Sequence, residues 1–190
     1  MFKWLASPTI MSCALVVLLS ACSGESSGTS SESSDGVLPT ASDDPFFTEG
    51  WRENCLAIIN EYRATENLKP LALASEEKQT CTDKQAADDL AENSAHGHFK
   101  SCGEFAQNSG PNFGTSWLKD ASAVTEYYLK MMWEDEKALV TSGKRDPDKS
   151  EDYPYIGHYL NMKNAGATKV ACGMALSSDG KMGWFNVNFF

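Results

Sequence analysis

The amino-acid order predicts an α+β domain of about 145 residues, helices first and a short antiparallel sheet after them. Two patterns point there. Between residues 48 and 140 apolar side chains recur at three- and four-residue spacing, as on one face of a helix. Beyond residue 156 apolar and polar residues alternate, and Ser178-Asp179-Gly180-Lys181 carries an Asp-Gly hairpin signal.

The first helix begins near Thr48, a plausible N-cap, and Trp51, Cys55, Ile58, Ile59 and Tyr62 share one face before Pro70 breaks the run. A second helix is capped by Ser75, has Glu76 and Glu77 at its positive end, and continues to about Asn93. Residues 94–120 read as a long Gly-rich loop, a length usually kept for function. A third helix spans about 122–140 and a polar loop about 144–155. The run 157–162, with His158 inside it, reads as a strand; residues 168–175 form another, and 185–189 alternate cleanly.

Residues 1–21 read as a lipoprotein signal peptide. Lys3 supplies the positive start, and the apolar run 10–19 is too short to span a bilayer. It closes on Leu19-Ser20-Ala21-Cys22, which resembles a lipobox, so Cys22 is expected to become the acylated N-terminus. Residues 22–46 hold the lipidated Cys and a Ser-rich tether with too little apolar content to fold. The domain proper is 47–190. This organisation implies the cell envelope: a lipid anchor in the outer membrane or at the cell surface, with the membrane itself as a partner. The formal net charge of −10 argues against nucleic acid.

Cys55, Cys81, Cys102 and Cys172 remain after Cys22. An even number in an exported domain favours two disulfides. Three pairings are open and sequence does not choose among them. The one preferred here joins Cys81 to Cys102, since the following loop can fold back toward the second helix, and leaves Cys55 with Cys172.

Three segments concentrate ionisable chemistry: His96-Gly97-His98-Phe99-Lys100-Ser101-Cys102-Gly103-Glu104, Trp133-Glu134-Asp135-Glu136, and Gly157-His158-Tyr159 followed by Cys172-Gly173. Taken alone, Glu136 lies on the apolar face with Leu129, Met132, Trp133 and Val140, an unusual place for a carboxylate unless it has a partner. His158 alone reads as a half-buried strand residue bonded to backbone.

In order and spacing these segments, with Asn60-Glu61-Tyr62-Arg63 and Leu68 to Leu71, resemble the CAP superfamily (SCP domain) over about 51–190. The resemblance implies an α-β-α sandwich with the sheet between helical layers. It also implies a cleft set of His96, Glu104, Glu136 and His158, with His98 as the alternative loop histidine. Two histidines suit a divalent ion, Zn²⁺ first, with the carboxylates behind them as orienting groups. Some features depart from the family pattern: Phe105 follows Glu104, and Lys163-Asn164 stands where the family has a Trp.

The resulting expectation is a binding module for a lipid, glycan or protein ligand. A metal-dependent hydrolase using the same cleft is the alternative. No His-Glu-x-x-His, Gly-x-Ser-x-Gly or phosphate-loop motif is present, and no nucleophile is evident, so enzyme status stays open with binding preferred.

Overall fold

The computed structural model describes residues 44–190, so the signal peptide, Cys22 and nearly all of the tether lie outside the described residues. Five α-helices and four strands follow in the order α1 (Trp51–Ala64), β1 (Ala72–Leu73), α2 (Glu76–Glu92), β2 (Ala106–Gly114), α3 (Ala121–Lys130), α4 (Glu136–Thr141), α5 (Tyr153–Met162), β3 (Lys169–Leu176) and β4 (Met182–Phe189). A π-helical turn, Met131–Asp135, joins α3 to α4. The sheet order is β1-β3-β4-β2, with β1 parallel to β3 and the other pairs antiparallel.

Alternation along β4 sorts the two faces. Phe185, Val187 and Phe189 lie opposite Met174, Cys172 and Val170 of β3, and belong to the apolar core with Ile59 of α1 and Leu129 of α3. Trp184, Asn186 and Asn188 point the other way, toward α2. Their β3 neighbours there are Ala175, Gly173 and Ala171, small enough for α2 to approach closely. A Cβ on Gly173 would sit 2.3 Å from the Thr82 backbone. The result is an α-β-α sandwich, with α2 on one side and α1, α3 and α5 on the other.

Beyond the two residues of β1, side chains satisfy the open edge of β3. Gln79 Oε1 accepts from Cys172 N at 2.9 Å, Arg52 Nε donates to Cys172 O at 3.2 Å, and Asp83 Oδ1 accepts from Met174 N at 3.0 Å. An unpaired strand edge is thereby blunted. Two disulfides add cross-links: Cys55–Cys172 ties α1 to β3, and Cys81–Cys102 ties α2 to the loop before β2.

Three local expectations are corrected. His158 is helical, not in a strand: Pro154 at the start of α5 favours helix initiation, and Ile156, Tyr159 and Met162 bury one face at helical spacing. The stretch 94–120 is not all loop, because β2 pairs with β4 from Ala106 to Gly114 around a bulge between Gly110 and Phe113. The first helix is entered through Gly50, at φ +76°, where glycine avoids the strain of a left-handed backbone; Thr48 bonds Ser122 instead of capping. Ser75 is the N-cap residue of α2, without a side-chain cap bond.

Candidate functional site

Glu136 opens α4, directly after the π-helical turn. A π turn inserts one residue into the helical register, and here both Trp133 and Met132 are buried while Glu136 faces α5. Its Oε1 lies 2.5 Å from His158 Nδ1 and its Oε2 accepts from Tyr159 N at 2.9 Å. The pair is only partly open: the His158 side chain is 29% exposed and that of Glu136 14%. Because a carboxylate is the acceptor, Nδ1 carries a proton, and in the neutral ring Nε2 is the lone-pair nitrogen. Among the described residues nothing bonds that Nε2.

His96, at φ +63° in the loop after α2, has its Nδ1 2.9 Å from Gln107 Oε1 on β2. Which end of the Gln107 amide faces the ring follows from a chain of bonds that starts at Glu104. That carboxylate can only accept when ionised. It takes Gln85 Nε2 at 2.7 Å, Lys100 N at 2.6 Å and Cys102 N at 3.1 Å. Gln85 therefore turns Oε1 outward, where it receives Gln107 Nε2 at 3.2 Å and Asn188 Nδ2 at 2.5 Å. Gln107 Nε2 also donates to Asn188 Oδ1 at 3.0 Å. With its nitrogen committed inward, Gln107 presents oxygen to His96, so His96 donates through Nδ1, and in the neutral ring its Nε2 is also the lone-pair nitrogen.

The four expected residues are thus held in two sets, Glu136 with His158 and His96 with Glu104 through two amides. Glu136 and His158 touch. His96 stands beside β2, whose next residue, Asn108, donates from Nδ2 to the His158 carbonyl at 3.1 Å. Glu104 is 3% exposed, with its carboxylate turned into the α2 side of the sheet, and reaches neither histidine directly. His98 is held elsewhere, its Nδ1 3.2 Å from buried Asp89 and its Nε2 3.6 Å from Glu92. Among the described residues no three or more His, Cys, Asp or Glu side chains form a metal-holding group. The residues that orient the rings beyond Glu136, namely Gln85 and Gln107, carry no motif that sequence reasoning could single out.

Arg63 and Asn60 of the first-helix motif are structural. Arg63 is fully buried and donates to the carbonyls of Met162, Asn164 and Lys69; Asn60 bonds both N and O of Leu71. Arg63 locks the C-terminal end of α5, and with it His158, against α1, while Asn60 holds the segment that leads into β1.

A single α2 layer, a mixed sheet and an opposing layer of α1, α3 and α5, stapled by two disulfides, define the architecture of an SCP-type domain. The sequence profile of the Cysteine-rich secretory protein family, CAP, matches residues 56–189, and the chain belongs to that family. In fold it is similar to the crystal structure of NaASP2 with Zn²⁺, at 15% identity and a TM-score of 0.55, over 77% of this chain and 82% of that one. The hookworm platelet inhibitor gives 15% identity and a TM-score of 0.48 over 77% and 72%. An extracellular SCP-domain protein from Bacillus anthracis gives 16% and 0.41 over 73% of this chain and 40% of that one. No curated protein matches the sequence.

Proposed function

We propose that the chain is an extracytoplasmic, lipid-anchored binding module whose cleft takes a divalent cation, Zn²⁺ first, on His96 and His158. One observation carries this reading. Both imidazoles are held through Nδ1 by an oxygen acceptor, which leaves Nε2 of each as a ligating lone pair. A ligating histidine is commonly oriented in this way by a carboxylate or carbonyl behind it. When bound, the ion supplies a Lewis-acidic contact for an anionic or carbonyl group of a ligand. Glu136 fixes the His158 ring, Gln107 fixes the His96 ring, and Glu104 acts two amides away, through Gln85 and Gln107. The Zn²⁺ in the NaASP2 crystal structure belongs to that protein; it supports the choice of ion to test first.

The resemblance of Leu19 to Cys22 to a lipobox supports the anchor, and the two disulfides, which suit an oxidising compartment, support export. Among the described residues no helix is long and apolar enough to cross a membrane.

Zinc titration by calorimetry tests the cleft. Wild type at pH 7.5 binds, and His96→Ala and His158→Ala each weaken binding at least tenfold. His98→Ala leaves it unchanged. Binding weakens at pH 5.5, since imidazole must be neutral to ligate. Equal affinity in wild type, His96→Ala and His158→Ala rules the site out; loss in His98→Ala alone moves it to the other loop histidine.

A further inference from the structure

The exposed large apolar side chains of the domain are grouped, and one group surrounds the place where the N-terminal chain joins. Phe46 stacks on Phe113 of β2 with ring centroids 5.8 Å apart, and its carbonyl accepts from Ala121 N at 2.9 Å. The next β2 residue, Gly114, pairs with Met182 of β4 and is covered by the indole of Trp117. Trp117 meets Tyr127 of α3 edge-to-face at 4.8 Å. Trp117, Tyr127 and Met182 are 55%, 44% and 39% exposed. Exposed Lys119 and Lys181 flank them, balanced by Asp120 and Asp179, with Lys181 paired to Asp179 at 3.0 Å.

We infer that this patch is a membrane-docking face: the bilayer that receives the Cys22 anchor also receives Trp117, Tyr127 and Met182. The inference rests on the lipid-anchor reading above. An anchor at Cys22 tethers the domain to the lipid through residues 23–43 and Asp44, so the tether meets the domain beside this patch. Trp and Tyr, with an apolar body and a polar edge, favour the depth of the headgroups. Flanking lysines can lay their stems along apolar surface and keep the charge in water. The local charges cancel, so the contact is one of apolar burial and needs no anionic lipid. Docking in this pose fixes which way the rest of the domain faces, instead of leaving it to swing on its linker.

The aromatic inventory makes the test specific. Of the four tryptophans after residue 22, Trp51, Trp133 and Trp184 are buried and Trp117 is exposed. The mature acylated protein is reconstituted in zwitterionic phosphatidylcholine vesicles, with and without bromine on the upper acyl carbons. Docking predicts that brominated lipid quenches the Trp117 emission, that Trp117→Phe removes that quenching, and that raising salt from 0.05 to 0.5 M, on the order of a threefold change in screening length, leaves it unchanged. Vesicle-bound protein whose Trp117 is untouched by brominated lipid overturns docking while the anchor stands. In that case quenching by aqueous acrylamide shows a bare patch, and a sedimenting dimer shows a second copy covering it. Protein that does not associate with vesicles overturns the anchor reading, and this inference with it.

Discussion

The two faces of the sheet are built on different physics. Toward α1, α3 and α5 the interface is apolar: Ile59, Leu129, Val170, Phe185, Val187 and Phe189 are all fully buried. Toward α2 it is polar. Thr82, Gln85 and Asp89 recur down one side of the helix and bond Gln107, Asn186 and Asn188 of the sheet, with Ser109 beside them, all under 9% exposed. The bonds run in one direction, from Trp184 Nε1 to Ser109 Oγ, on to Asn186 Oδ1, and from Asn186 Nδ2 to Asp89. Among the described residues no buried side-chain nitrogen or oxygen lacks a partner. The apolar face gives burial that tolerates small shifts; the polar face gives fixed amide orientations, because each acceptor dictates its neighbour's rotamer. The candidate site draws on the polar face for the direction of the His96 ring.

Breaking the cross-links shows the comparison at its largest. Loop-closure entropy assigns about 5 kcal/mol to Cys55–Cys172, at a sequence separation of 117, and about 3 kcal/mol to Cys81–Cys102, at 21. Denaturant unfolding of the paired Cys→Ala variants should show that order. The second pair should in addition disturb zinc binding, because it pins the loop carrying His96 and Glu104.

Within the faces, Phe185→Ala should lower stability by about 3–5 kcal/mol through cavity formation. Asn188→Ala removes little volume, yet strips one hydrogen bond from each of Gln85, Gln107 and Thr82, so it should lose about 2–3 kcal/mol. The two differ in function: Asn188→Ala should weaken zinc binding through Gln107, while Phe185→Ala should not at temperatures where it is folded.

A smaller effect comes from Asp83 at the α2 edge. Burial pushes its carboxyl up to about 6, with the Arg52 guanidinium offsetting part of the rise. The unfolded value is about 3.9. The folded chain therefore binds the extra proton between about 4 and 6, and Asp83's contribution to stability is greatest below that window and is lost as pH rises through about 6. Asp83→Asn should flatten Tm against pH across this interval, measured by scanning calorimetry.

The apolar face is the legible one in sequence. The helical spacing of Trp51, Cys55, Ile59 and Tyr62 and the alternation of 185–189 are direct consequences of burying one side. The polar face hides. Gln107, Asn108, Ser109, Gly110 and Pro111 are poor strand formers and read as loop; β2 exists because β4 pairs with it. Residues 157–162 fit both periods, and Ile156, outside that run, is what marks the helix. The His and Glu types of the site are visible as motifs. The glutamines that aim them are not, since a buried amide has no sequence signature apart from its partner.

In their neutral form both His96 and His158 carry the proton on Nδ1 and offer Nε2. Long-range ¹H–¹⁵N correlation spectroscopy of the metal-free protein reads this directly, and with three histidines in the chain the assignment by His→Ala variants is simple. The structure predicts the Nδ1–H tautomer for the neutral form of both rings. An Nε2–H tautomer at His158 would contradict the Glu136 pairing, and one at His96 would contradict the amide chain from Glu104 through Gln85 and Gln107.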